Sequence, residues 1–124
     1  MRVLVCGSRS WNDGWRIGRR LEALERGSVV IHGGARGADR IAGEIAHTLG
    51  FEVEEWRANW HEYGRAAGKI RNKLMIETQP DLVVAFWDGA SRGTVDTITR
   101  AIRAKIPVEV HGGPSGEPVR ITPE

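Results

Sequence analysis

The stretch Ser28-Val29-Val30-Ile31-His32-Gly33-Gly34-Ala35-Arg36-Gly37-Ala38-Asp39 passes from a β-branched apolar run, through a glycine-rich turn carrying one arginine, into a helical pattern. Ala38, Ile41, Ala42, Ile45, Ala46 and Leu49 continue it as an apolar stripe closed by Gly50, the spacing of a helix with one buried face. A covered strand feeding such a helix is the building unit of a parallel α/β sheet. Two other turns share the design: Cys6-Gly7-Ser8-Arg9-Ser10 and Asp88-Gly89-Ala90-Ser91-Arg92-Gly93-Thr94, each after an apolar run. Glycine allows close approach to the backbone, helix starts offer free N–H groups to anions, and a guanidinium grips phosphate or carboxylate in two-pronged fashion. Three such turns on one small domain predict a site for a phosphorylated, nucleotide-like ligand.

The rest of the chain repeats the alternation. Strands are predicted at 2–6, 28–32, 51–56, 81–86 and 108–111. Helices are predicted from an Asn12 or Asp13 cap to Gly27, and over 38–49, 66–78 and 94–105, with Pro80 ending the third. Residues 58–63 are polar and aromatic without period and read as a loop. The fold class is α/β: a single Rossmann-like, doubly wound parallel sheet of about five strands in order 3-2-1-4-5, with helices on both faces. That order sets the ends of strands 1, 2 and 4 side by side where the winding reverses, the place where open α/β sheets bind ligands. Residues 1–111 form the nucleotide-binding domain, and the Gly/Pro-rich segment 112–124 is expected to be a mobile or surface-lying tail.

With 124 residues the chain is one domain with a single core. The lone Cys6 cannot form an internal disulfide and fits a reducing compartment, as a buried strand residue rather than a nucleophile. Gly7 comes too soon for a leader's apolar region and no run reaches membrane-spanning length, so a soluble, cytoplasmic protein without membrane partners is expected. The formal charge is +2, carried mostly by arginine. That suits a small polyanion and is too little to require nucleic acid. The four histidines lack metal-ligand spacing, so neither a metal site nor a cofactor is expected.

Candidate ligand residues follow from the turns: Gly7, Ser8 and Arg9; Gly33, Gly34, Ala35, Arg36, Gly37 and Asp39; Ser91, Arg92, Gly93 and Thr94. Residues 33–39 match neither the dinucleotide fingerprint nor a Walker A loop, but have the composition of an anion nest. Arg71 and Asn72 lie on the polar face of the third helix near the presumed crevice. An aromatic side chain there stacks on a nucleobase or simply packs, and Trp60 and Trp11 are the residues placed for stacking.

Gly7-Ser8-Arg9, the segment 33–39, Arg71-Asn72 with Met75, and Ser91-Arg92-Gly93-Thr94 resemble the SLOG superfamily, specifically its YspA/YpsA-related branch, over about residues 1–111. The resemblance implies a Rossmann-like domain that binds nucleotides or nucleotide-derived ligands, in a homodimer or higher oligomer. Related LOG phosphoribohydrolases, long mislabelled lysine decarboxylases, hydrolyse the N-glycosidic bond of nucleoside 5′-monophosphates with motifs Arg-Lys-x-x-Met and Pro-Gly-Gly-x-Gly-Thr-x-x-Glu. Arg71 and Met75 match the first, with Asn72 at its lysine; Gly93-Thr94 match the second, whose Pro-Gly-Gly is absent and whose glutamate position holds Thr97. Threonine neither stabilises an oxocarbenium-like centre nor activates water well. The neighbouring Asp96 is the candidate catalytic substitute, with Arg71 beside it, unless Asp96 serves only the helix start. The expected function is therefore binding of a nucleoside monophosphate, ADP-ribose or an NAD-like ligand, as a sensor or a weak N-glycosidase-like enzyme. The alternative is a single-stranded nucleic-acid-binding module akin to the DprA branch.

Overall fold

In the computed structural model, which describes residues 1–124, alternate residues of the first strand face opposite sides. Within β1 (Arg2–Gly7), Val3 and Val5 enter one apolar cluster while Leu4 and Cys6 enter another, the period of two that a strand imposes. The first cluster is closed by Ile17 and Leu21 of α1 (Gly14–Glu22) and by Ala38, Ala42 and Ala46 of α2 (Ala38–Thr48). The second is closed by Met75 and Ile76 of α4 (Ala67–Glu77) and Ala101 of α5 (Arg92–Arg103). Between them run β2 (Val29–His32), β3 (Glu52–Glu55), β4 (Leu82–Phe86) and β5 (Val108–His111). No helix is long and apolar enough to cross a membrane.

The sheet order is β3-β2-β1-β4-β5, all parallel, with a sixth strand, β6 (Val119–Ile121), beyond β5. The predicted order 3-2-1-4-5 is therefore the observed one. The winding reverses between β1 and β4, whose register pairs Gly7 with Phe86, so the turns after β1, β2 and β4 open on one side.

Two segments differ from expectation. Residues 58–63 are not wholly loop: Asn59 Oδ1 accepts from the Glu62 N–H and starts the short helix α3 (Trp60–Tyr63), followed by a 3-10 turn at Gly64–Ala66 that leads into α4. The tail is not free along its length, because β6 (Val119–Ile121) pairs antiparallel with β5. It is tied down by charge as well as by strand pairing. Glu109, 4% exposed, accepts from Arg20 Nε at 2.5 Å and pairs with His111 Nε2 at 2.7 Å and with Arg120 Nε at 3.6 Å. Arg16 Nη2 also donates to the Gly116 carbonyl at 2.8 Å.

Burial pushes the Glu109 carboxyl up, but its hydrogen bonds and charge contacts with His111 and Arg20 outweigh that and hold it at about 2. A carboxylate with a depressed folded-state value contributes stability above its unfolded value and loses it as pH falls through the folded one. Wild-type stability is therefore expected to drop between about pH 4.5 and 2. Glu109→Gln removes Glu109's share of that slope, leaving the shares of Asp88 and Glu54, and costs about 3 kcal/mol at neutral pH, as measured by urea unfolding across the pH series.

Candidate functional site

The three turns meet at Ser8, which is fully buried. Its N–H donates to the Phe86 carbonyl at 2.9 Å, its carbonyl accepts from Ala38 N at 3.2 Å, and its Oγ accepts from Asp88 N at 2.9 Å. One residue of the first turn thus bonds both others. Such an approach leaves no room for side chains. A Cβ on Gly7 would collide with the Phe86 carbonyl and the Ala38 methyl, and one on Gly37, whose φ is 83°, with the carbonyls of Ser8 and Arg9. Gly7, Ser8 and Gly37 were expected to touch ligand. They instead hold the wall together, although Gly7 also borders the cleft.

Residues 33–35 form the anticipated nest, but its occupant is internal. Asp39 Oδ2 accepts from Gly33 N at 2.9 Å and Ala35 N at 3.4 Å, and Gly34 N donates to His32 Nδ1 at 3.0 Å. Gly33 and Gly34 therefore do not line the cleft, and their N–H groups are already satisfied. Burial pushes the Asp39 carboxyl up to about 6, against the pull of Arg71, the two N–H donors and Arg9. Arg71 lies across the same loop, donating from Nη1 to the Gly33 carbonyl at 2.6 Å and from Nε to Asn72 Oδ1 at 2.9 Å. Burial lowers the Arg71 value and Asp39 raises it.

On the other wall, Ser91 caps α5 through Thr94, and Asp88 Oδ1 accepts from Ala90 N and Ser91 N. Those backbone bonds and the Ser10 hydroxyl hold the Asp88 carboxyl well below the usual carboxylate range. Asn72, 5% exposed, donates to Asp96 Oδ2 at 3.0 Å, and Arg100 Nε donates to the same oxygen at 2.9 Å. Thr97, at the position of the LOG glutamate, is 2% exposed and bonds the Gly93 carbonyl. Cys6 reaches the floor from beneath, with its thiol pushed up by burial.

Between the walls lies a cleft of ≈ 700 Å³. Of the expected residues it brings together Gly7, Arg9, Ala35, Arg36, Asp39, Arg71, Asn72, Ser91, Arg92, Gly93, Thr94 and Asp96, with Trp60 at the rim. Trp11 is elsewhere. Its ring packs on Phe86 at 5.4 Å and its Nε1 donates to the Asp13 carbonyl, so packing is its role and the stacking expectation is corrected. Arg65 and Lys69 line the cleft unforeseen. The signal was present for Lys69, since Gly68, Lys69, Asn72 and Met75 recur at helical spacing on the face of α4 that borders the cleft, with Arg65 in the 3-10 turn just before it.

Three comparisons bear on this arrangement. A family model described as YAcAr, the YspA, cpYpsA-related SLOG family, matches residues 1–63. The chain is 43% identical over 116 residues to the Gene 61 protein of Mycobacterium phage D29, an alignment covering 86% of this chain and 93% of that protein. Its fold is that of DNA processing protein A (DprA) from Streptococcus pneumoniae, with a TM-score of 0.74 at 19% identity over 90% of this chain. The chain spans 50% of the length of that DprA chain.

Gly37→Ala is expected to destabilise the fold by about 2–4 kcal/mol, since it combines a positive φ with backbone collision. Gly93→Ala, where an added Cβ meets nothing within 4 Å, should stay within about 0.5 kcal/mol. Guanidinium unfolding of the two variants checks the contrast.

Proposed function

Because the chain belongs to the YspA, cpYpsA-related SLOG family, we propose that its cleft binds a nucleotide or nucleotide-derived phosphorylated ligand, such as a nucleoside monophosphate, ADP-ribose or an NAD-like molecule. One observation carries this reading. Arg9, Arg36, Arg65, Lys69 and Arg92 converge on the cleft, and none takes part in the chain's ion pairs. Together with Arg71 they outnumber the carboxylates of Asp39, Asp88 and Asp96 that line the same cleft, so the site carries an excess of positive charge that favours a phosphorylated ligand. Trp60, 52% exposed at the rim, supplies a face on which a base can stack.

Binding is favoured over hydrolysis. Thr97 offers no carboxylate, and both partners of Asp96 Oδ2 are cationic or amide donors that keep that oxygen occupied. Asp39, Asp88 and Asp96 all line the cleft, and Asp96, next to the position of the LOG glutamate, is the acid we expect to act if base release occurs, with Arg71 nearby on the adjacent wall.

Arg36→Ala or Arg71→Ala should each weaken binding of AMP or ADP-ribose by roughly 1.5–3 kcal/mol, and lysine should restore only part of it because it lacks the planar fork. Calorimetric titration beside a labelled single-stranded oligonucleotide measures this. Tight oligonucleotide binding with a steep salt dependence and no nucleotide heat would replace the proposal with a nucleic-acid-binding one. In a parallel chromatographic assay wild type should release no adenine from AMP. Release that Asp96→Asn abolishes would make the protein a hydrolase.

A further inference from the structure

The backbone nest after β2 is a ready anion seat whose occupant comes from the chain itself. Two N–H groups aim at Asp39 Oδ2, Gly34 takes a φ of 71°, and the Asp39 residue is 5% exposed. This is the geometry that elsewhere cradles a phosphate oxygen. Arg71 grips the same glycine from the other end, through the Gly33 carbonyl, and a Cβ on Gly33 would overlap its guanidinium. Its Nη1 and Nε are thereby engaged within the wall, while the side chain still borders the cleft.

Resting on the ligand reading above, we propose that Asp39 is a positioning residue for phosphate recognition: its carboxylate fills the nest, locks Gly33, and holds Arg71 so that guanidinium groups rather than backbone N–H groups receive the phosphate. Arg9 and Arg36, which also line the cleft, complete that seat. Two physical reasons support the arrangement. A long cationic side chain ordered in advance does not have to be immobilised when the ligand arrives. Burial and the nearby Arg9 both disfavour the charge on Arg71, and Asp39 offsets part of that, which eases the approach of three arginines before any ligand neutralises them.

The test compares AMP with adenosine, which lacks the phosphate, by calorimetric titration of wild type, Asp39→Asn and Asp39→Ala, with amide exchange at Gly33 and Ala35 followed by NMR. Asp39→Ala should weaken AMP about tenfold or more while adenosine changes less than about twofold, with Asp39→Asn between them because it keeps an acceptor but not the charge. The Gly33 and Ala35 amides should exchange faster in Asp39→Ala and slow again in sodium formate, which can refill the nest. AMP binding unchanged or tighter in Asp39→Ala would overturn the proposal, since the nest would then be the phosphate seat. Parallel loss of AMP and adenosine would overturn it too, by showing a structural role alone. Wild type that binds neither AMP nor ADP-ribose would overturn the ligand reading itself. Unchanged amide exchange in Asp39→Ala would separately overturn the filling of the nest.

Discussion

Ser8 is the point on which the architecture of the cleft depends. Its N–H and hydroxyl are committed to the end of β4 and its carbonyl to the start of α2, and the residue is completely enclosed. Satisfying all three groups demands that the turn after β1 lie directly against the start of α2 and the end of β4. Only glycine at positions 7 and 37 permits that separation. Small residues in these turns therefore serve first to bring backbone to backbone. The consequence for function is indirect: three short loops are welded into one rigid wall, and the arginines they carry project from fixed bases.

Charge is layered from the floor of the cleft to its mouth. At the floor Asp39 and Arg71 balance one another where water is scarce and an unpaired charge is costly. Farther out, Arg9, Arg36 and Arg92 stand in solvent, each highly exposed. Exposed charges interact weakly with one another in water, so their convergence is tolerable in the free protein. A multiply charged ligand that excludes water from the cleft would feel all of them at once. The opposite wall is held by neutral and charge-assisted bonds among Asn72, Asp96 and Arg100, which fixes its geometry and neutralises Asp96.

The sheet order was legible because the covered strands are short, largely β-branched runs bounded by glycine or proline turns, and because alternating strands and helices leave few parallel topologies. β6 was not legible: Val119-Arg120-Ile121 is too short to show a period and sits among glycine and proline, and its antiparallel register, with Arg120 opposite Glu109, is visible only in the folded chain. The arginines at the cleft were readable from their turns. What composition could not reveal was the direction in which the glycine N–H groups point. Gly33-Gly34-Ala35 has the residues of a phosphate cradle whether the anion is a ligand or Asp39, and only the backbone path decides. Trp11 misled for a related reason. It follows β1 closely, but its ring turns back onto Phe86, driven by apolar burial that a count of positions cannot register.

The cleft at the reversal of the winding is the proposed seat of a phosphorylated nucleotide derivative. Titrating ADP-ribose into isotopically labelled protein and following backbone amides and tryptophan indoles by NMR tests it directly. Saturable shifts are expected at Arg36, Asn72, Gly93 and Thr94 and at the Trp60 indole, with Trp15 and Arg19 on the exposed face of α1 unmoved. No shift at millimolar ligand, or shifts centred on α1, would contradict that seat.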